Sequence, residues 1–395
     1  MLRTMAQIPS LLDWKHVFPI TLLKKRELKA LDTVVEVSRE SLSPHAARHY
    51  ETGEIPLESY RALADAGLLA LIVPKKYGGR GLSYLAYTAA MLELGGANVE
   101  VTSPLNMLNV ELWFLNELAD DHQKSYFFDR VVNYGELFAA STSEPGIDWT
   151  DSHGTVLHTT VKQLPEGNYV LNGEKWRTSM ARSAAFYCVA AVMRGRSTKE
   201  GLVLAIVPSD TPGVTVIEDW NLPMMRATDS CSVRFTDCII PASHIVGKPG
   251  ELPKKGLFPL FALGYASFYL GMGLSSFLSF VEEFGDQVSD EILGNMALDL
   301  RHALCVLSYA ATAWQTADKR TIPIATADAK AFCPEVARRI LTQINTFIDN
   351  EDYKRLLDES RAAQYMPPSP ALVASRIGNA LQTGTEPRFL GFRGD

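Results

Sequence analysis

Apolar side chains recur at three- and four-residue steps through Leu57, Tyr60, Leu63, Ala64, Gly67 and Leu68, the spacing of one buried helical stripe. Residues 87–94 and 108–118 repeat that period. The stretch IVPKKYGGRGLS (72–83) interrupts it: Pro74 disfavours helix, and Gly78, Gly79 and Gly81 admit turn dihedrals closed to other residues. Near Gly135 the pattern changes to short β-rich runs: LFAAS (137–141), TVLHTTV (155–161), NYVL (168–171), FYCVAAV (186–192), LVLAIV (202–207), VTVI (214–217) and SVRF (232–235). Gly, Pro, Asn, Asp and Ser clusters separate them at roughly regular spacing, which predicts a small barrel or sandwich. After Gly247 the helical period returns and continues through residues 327–347. The order is helical, then β, then helical, an α+β arrangement with parts at 1–134, 135–247 and 248–395, without the alternation of a parallel βαβ sheet.

One segment needs separate treatment. Residues 256–281 carry no charge, a length sufficient to cross a bilayer. Pro259, Gly264, Gly271, Gly273 and several serines favour a buried central helix packed closely through small residues, and no membrane association is expected. The N-terminal stretch lacks the uninterrupted apolar run of a signal peptide, since Asp13, Lys15 and His16 break it. Composition adds exclusions: a net charge of −7 offers no basic surplus for nucleic acid. Five cysteines without a CxxC spacing fit reduced cytoplasmic thiols better than a disulfide frame or zinc site. No GxGxxG, P-loop or GxSxG is present, and no His/Asp/Glu cluster has metal-ligand spacing. His153, His158 and His302 read as structural.

Four ordered segments narrow the class. They are LADAGLLALIVPKKYGGRGLS (63–83), STSEPG (141–146), LNGEKWRTSMARSA (171–184) and MMRATDSCSVRFTDCIIPASHIVG (224–247). Together they resemble the acyl-CoA dehydrogenase superfamily: its opening helix and glycine turn, its two flavin strands, and the motif that closes its β domain. The resemblance implies an N-terminal α-helical domain, a middle β-barrel domain and a C-terminal four-helix-bundle domain. It also implies bound FAD, a small-molecule substrate with CoA thioesters as one class, and a homodimer or homotetramer.

A flavin ring needs hydrogen-bond partners for its polar edge and an apolar or aromatic surface against its face. Ser141, Thr142 and Ser143 are candidates for the edge. Trp176 with Thr178, or Arg177 with Ser179 in the alternative register, would supply the stacking plane and the hydroxyl near N5. The family's GSD-like turn reads IDWTDSHG (147–154) here, where Ser152 remains a donor toward substrate but Asp148 and Asp151 would repel phosphate. Arg226 and Asp229 are expected to form a structural salt bridge pinning the closing loop.

The departures bear most on function. Family dehydrogenases remove an α-proton with a glutamate; the equivalent position here is Pro367, and the alternative position falls near Phe261. Loss of a positioned base costs ~10²–10⁴-fold. EEFGDQ (282–287) lacks the arginine of the family's RxxFG segment, and no GGxGY stands between Gln343 and Leu357. The C-terminal run ALVASRIGNAL (371–381) resembles superfamily members that use reduced flavin and oxygen. A monooxygenase supplied by a flavin reductase is therefore the leading expectation. Tyr365 and Arg361 are candidate catalytic residues, and Tyr265 and Tyr269 candidate substrate contacts. Two alternatives remain, a dehydrogenase with a relocated base and a non-catalytic subunit of a hetero-oligomer.

Overall fold

The computed structural model describes residues 10–147, 156–255, 259–316, 321–366 and 368–387. The N-terminal part comprises α1 (Lys25–Val37), α2 (Ala46–Thr52), α3 (Leu57–Asp65), α4 (Tyr84–Ala97), α5 (Val99–Leu118) and α6 (Asp121–Val132). Helix starts follow local chemistry. The Asn98 side chain accepts from the Glu100 and Val101 amides at the head of α5, and Asp120 and Gln123 form a reciprocal capping box on α6. The glycine-rich break between α3 and α4 is steric in origin. Gly78 has φ +86, and a Cβ on Gly79 would collide with the Val73 carbonyl.

The middle part holds β1 (Phe138–Ser141), β2 (Thr160–Gln163), β3 (Tyr169–Thr178), β4 (Phe186–Met193), a short α7 (Thr198–Gly201), β5 (Leu202–Pro208), β6 (Val214–Ile217), β7 (Cys231–Ile240) and β8 (Ile245–Val246). They form one mixed sheet in the order β6-β7-β3-β2-β4-β5-β8, with β1 pairing β4. The β1–β4 and β2–β4 pairs are parallel, a feature that strand spacing had not predicted. The near-continuous apolar runs of β4 and β5 have a direct cause: both faces are covered. Phe186, Cys188, Ala190, Leu202, Leu204 and Ile206 face the helices. Their alternates Tyr187, Val189, Ala191, Val203, Ala205 and Val207 share a second core with Leu171, Val233 and Phe235 from β3 and β7. The sheet thus encloses a core of its own in barrel fashion, while its hydrogen-bonded path stays open, with no β6–β8 pairing among the described residues.

The C-terminal part contains α8 (Leu252–Lys255), α9 (Pro259–Phe284), α10 (Asp290–Thr316), α11 (Thr321–Phe347), α12 (Glu351–Ala362) and α13 (Pro370–Thr383). The charge-free segment becomes α9, and 89% of its most apolar stretch is buried inside the protein. Its glycines explain the packing. A Cβ on Gly271 would strike the Leu92 carbonyl of α4, one on Gly264 the Asn106 side chain of α5, and one on Gly273 would meet Ala337 of α11. Fully buried Phe268, Tyr269 and Phe280 each contribute ~1.5–3 kcal/mol of apolar burial to this central crossing.

Candidate functional site

The ends of β1 and β3 carry the expected flavin-facing residues. The two strands meet where the Trp176 amide donates to the Ser143 carbonyl at 2.9 Å. Below that junction a charge pair is sealed in the protein. Lys175 Nζ donates to Glu144 Oε1 at 2.7 Å and to the Thr142 carbonyl at 3.3 Å, with Lys175 0% and Glu144 3% exposed. Glu144 also accepts from the His158 amide at 2.6 Å and the Thr159 amide at 3.0 Å. Those amides are thereby diverted to a carboxylate, and the strand expected over residues 155–161 begins only at Thr160. Burial pushes the Glu144 carboxyl up, but Lys175 and the amide donors outweigh it and hold it below its usual range. Burial lowers the Lys175 amine to about 8 against the pull of Glu144.

A register shift between Lys175 and Thr178, with Arg177 at φ +57, separates the candidate flavin residues. Trp176 is 39% exposed, its face shared with the Arg177 guanidinium 4.0 Å from the ring centroid. Thr178 turns inward, its hydroxyl 3.1 Å from that of Ser141, both fully buried. Ser179 is partly exposed, and its hydroxyl lies 2.9 Å from Ser230, which in turn lies 2.8 Å from Thr228. Of these candidates Trp176 presents an exposed aromatic plane, and the hydroxyl-bearing residues Thr142, Ser143 and Ser179 are partly accessible. An indole 39% exposed, with Arg177 over its ring, stands beside half-buried hydroxyls at the strand ends, the kinds of group that suit the face and edge of a flavin ring. Ser141 and Thr178 are packed into the interior next to those strand ends. Ser152 lies outside the described residues, as does His153.

The closing loop differs from expectation. Asp229 pairs with Arg182, accepting from its amide at 2.7 Å and its Nε at 2.6 Å, not with Arg226. Arg226 instead donates to the Glu51 carbonyl and sits over the Tyr50 ring. The expected salt bridge therefore joins two β-domain loops, because the left-handed turn at Asp229 (φ +52) aims its carboxylate at residue 182.

The remaining candidates fall into two environments. Tyr365 is 69% exposed on the α12–α13 connection, and Arg361, half exposed, pairs with Asp358 on its own helix. Tyr265 and Tyr269 are 3% and 0% exposed within the α9 core, Tyr269 with an unpartnered hydroxyl, so they line no open cavity in this conformation. The described structure does not bring these four together with the strand-end hydroxyls as one open site. A surface cleft of about 460 Å³ lies elsewhere, between α3 and the α6–β1 turn, lined by Tyr60, Arg61, Asn133 and Ser183.

Sequence reading missed Glu144 and Lys175. The available signal was Lys175 at an inward-facing position of β3, four residues after buried Leu171, where only a paired charge is tolerated. It also missed Lys330 on α11, 0% exposed, whose Nζ meets, among the described residues, the Ala363 and Met366 carbonyls at 3.4 and 3.2 Å and the Tyr265 ring. Burial lowers that amine to about 7.

Comparison with known proteins agrees with this architecture. The profile described as "Acyl-CoA dehydrogenase, N-terminal domain" matches residues 24–134, and "Acyl-CoA dehydrogenase, middle domain" matches residues 139–238. "Probable acyl-CoA dehydrogenase YngJ" of Bacillus subtilis is 25% identical over 340 residues, covering 81% of this chain and 87% of its own. Butyryl-CoA dehydrogenase of Megasphaera elsdenii superposes with a TM-score of 0.82 at 21% identity, covering 91% of this chain and 99% of its own. FMN-bound TdsC of Paenibacillus sp. A11-2, a dibenzothiophene monooxygenase, superposes with a TM-score of 0.80 at 21% identity and the same coverages. At that identity the two structures speak to fold alone.

Proposed function

The chain belongs to the acyl-CoA dehydrogenase superfamily and is a flavin-dependent oxidoreductase of that class; from this premise we propose that it is an oxygen-using member acting on a small molecule. One observation carries the reading. No Asp or Glu occurs between Glu359 and Glu386, so the α12–α13 connection, where family dehydrogenases hold their base, has no carboxylate. Pro367, the equivalent position, lies outside the described residues. The carboxylate nearest in sequence, Glu359, is 1% exposed and engaged by the Met225 amide at 3.0 and 3.1 Å. It cannot swing to a substrate without abandoning a buried donor, at a cost of ~1–3 kcal/mol. Half-exposed Phe261 offers no proton acceptor at the alternative position.

In this reading Trp176 covers one face of the flavin, and Thr142, Ser143 and Ser179 serve its polar edge. The flavin, when bound, supplies the electron transfer; the chain supplies orientation and a dry floor at Ser141 and Thr178. FAD is the family expectation. With no arginine in EEFGDQ and no GGxGY, the family's pyrophosphate contact and a close backbone approach to FAD have no counterpart, and we place FMN first. Reducing equivalents would come from a separate flavin reductase, since the chain has no GxGxxG. Aromatic molecules and CoA thioesters are the substrate classes to screen, and a homodimer or homotetramer remains the expected assembly.

The test is an absorbance spectrum of the purified protein through reduction and air reoxidation, with mass analysis of the released cofactor. The reading expects bound or reconstitutable flavin that reoxidises rapidly in air, with Trp176→Ala weakening flavin binding and leaving the fold intact. Anaerobic conversion of an acyl-CoA to an enoyl product with an artificial electron acceptor would overturn it. A protein that takes up no flavin would point to a non-catalytic subunit.

A further inference from the structure

Two carboxyl groups from distant parts of the chain meet in the interior. Glu100, in the first turn of α5, and Glu359, in the last turn of α12, are 2% and 1% exposed, and their side chains lie within hydrogen-bonding reach of each other. Together they grip one short stretch of the β domain. Glu359 accepts from the Met225 amide through both oxygens, at 3.0 and 3.1 Å. Glu100 accepts from the Arg226 amide at 3.1 Å and from the Ala227 amide. The stretch needs holding, because Met225 sits at φ +54, a conformation a bulky side chain adopts only when its surroundings impose it.

The charges around the pair set its protonation. Arg355 on α12 is the cation that faces it; its Nη1 makes no hydrogen bond among the described residues and lies 3.8 Å from the Asp352 carboxylate on the same helix. The guanidinium of Arg226 on the loop is directed away, to the Glu51 carbonyl, and Asp358 stands on the same helix as Glu359. The other titratable groups in range are the phenols of Tyr50 on α2, Tyr60 on α3 and Tyr269 on α9, and Asp229 beyond Tyr60. Two ionised carboxylates side by side would repel, and Arg355, shared with Asp352, does not offset both; one shared proton removes that repulsion.

The gripped stretch reaches the candidate flavin edge. Thr228 and Asp229 accept through their carbonyls from the amides of Met180 and Ala181, at 2.9 and 3.0 Å. The hydroxyls of Thr228, Ser230 and Ser179 form a continuous chain with steps of 2.8 and 2.9 Å. We propose that Glu100 and Glu359 are positioning residues: a carboxyl pair sharing one proton, which clamps residues 225–227 between the two helical parts and thereby sets Ser179 at the flavin edge. The last clause rests on the flavin placement proposed above; the clamp itself does not.

Burial, then the neighbouring Glu100 charge, holds the Glu359 carboxyl well above the usual carboxylate range, and burial raises Glu100. The folded state therefore keeps a proton that the unfolded chain releases above pH ~4.3. The pair's contribution falls as pH rises through that window, and the clamp loosens once the shared proton is lost.

The experiment is peptide-level amide hydrogen exchange over residues 220–231, corrected for intrinsic rates, followed from pH 6 to 10 alongside the visible spectrum and circular dichroism of the flavin-loaded protein. Wild type should lose protection there by roughly tenfold or more in one alkaline step. The flavin signal should shift with the same midpoint. Glu359→Gln, whose amide donates to Glu100 as the shared proton does and whose oxygen still accepts from Met225, should keep the protection and abolish the step. Glu100→Gln is the second variant and should do the same. A step at an unchanged pH in both variants, or none in wild type up to pH 10, overturns the proton-sharing clamp. An exchange step without a flavin response, in protein that holds flavin, overturns the positioning role. If the protein binds no flavin, the proposed function fails on its own and the exchange data still decide the clamp.

Discussion

Replacing Glu144 by Ala should be among the most destabilising single changes in the β domain. It removes the counter-ion of a fully buried Lys175 and leaves the ammonium with only the Thr142 carbonyl at 3.3 Å. It also strips the His158 and Thr159 amides of their acceptor. In the intact pair desolvation and attraction oppose each other: burial lowers the Lys175 amine to about 8, while Lys175 and the amide donors hold Glu144 below its usual range. Breaking such a pair nevertheless costs about 3–5 kcal/mol, because one buried charge is left uncompensated. At ~2–4 °C per kcal/mol for a chain beyond 150 residues, the melting temperature should fall by roughly 6–20 °C. Glu144→Gln separates charge from shape. The glutamine oxygen can still take an amide donor, and Lys175 can shed its proton, the more easily because nothing then raises its pKa. A base whose folded pKa lies below its unfolded value binds fewer protons folded than unfolded, so stability rises with pH until the unfolded lysine titrates near ~10.4. The Glu144→Gln deficit should therefore shrink between pH 7 and pH 9, measured by guanidinium melts of the β-domain signal. A Glu144→Ala variant within about 1 kcal/mol of wild type, or a Glu144→Gln deficit indifferent to pH, would refute the reasoning.

Lys330→Met should stabilise the protein by on the order of 1–4 kcal/mol, since it exchanges a buried cation, without a carboxylate partner among the described residues, for an apolar chain of similar length. With the folded amine at about 7, wild type bears the full burial penalty below that pH and recovers stability from there upward. The advantage of the variant, read from urea midpoints at pH 6 and pH 9, should be larger at pH 6. Tyr269→Phe removes a buried hydroxyl that has no partner among the described residues, and a gain of about 1 kcal/mol is expected. A loss of that size in thermal melts would show that the hydroxyl is satisfied in solution.

Local pattern carried the order of elements a long way. The 3.6-residue period over 57–68 became α3, that over residues 87–94 and 108–118 lies within α4 and α5, and the runs at 186–192 and 202–207 became β4 and β5 with nearly the same limits. These readings succeed because burial of one face imposes a repeat that adjacent residues reveal by themselves. The strands β1 and β3, expected to face a flavin, were legible through ordered local sequences. The parallel pairing of β1 and β2 with β4 was not, since pairing partners leave no mark in the run that pairs.

Charge partners were the part that only the tertiary structure decided. Asp229 and Arg226 are near in sequence and looked like a pair, yet Asp229 takes Arg182, from the turn after β3, and Arg226 turns to Glu51. Glu144 meets Lys175 from 31 positions away, and Glu100 and Glu359 converge on Met225, Arg226 and Ala227 from opposite ends of the chain. Trp176 and Thr178 parted company through a register shift invisible in the sequence. Hydrophobic burial acts through a period that each segment carries within itself. A buried charge is satisfied only by whatever group the fold delivers within about 3 Å, and that depends on the whole chain.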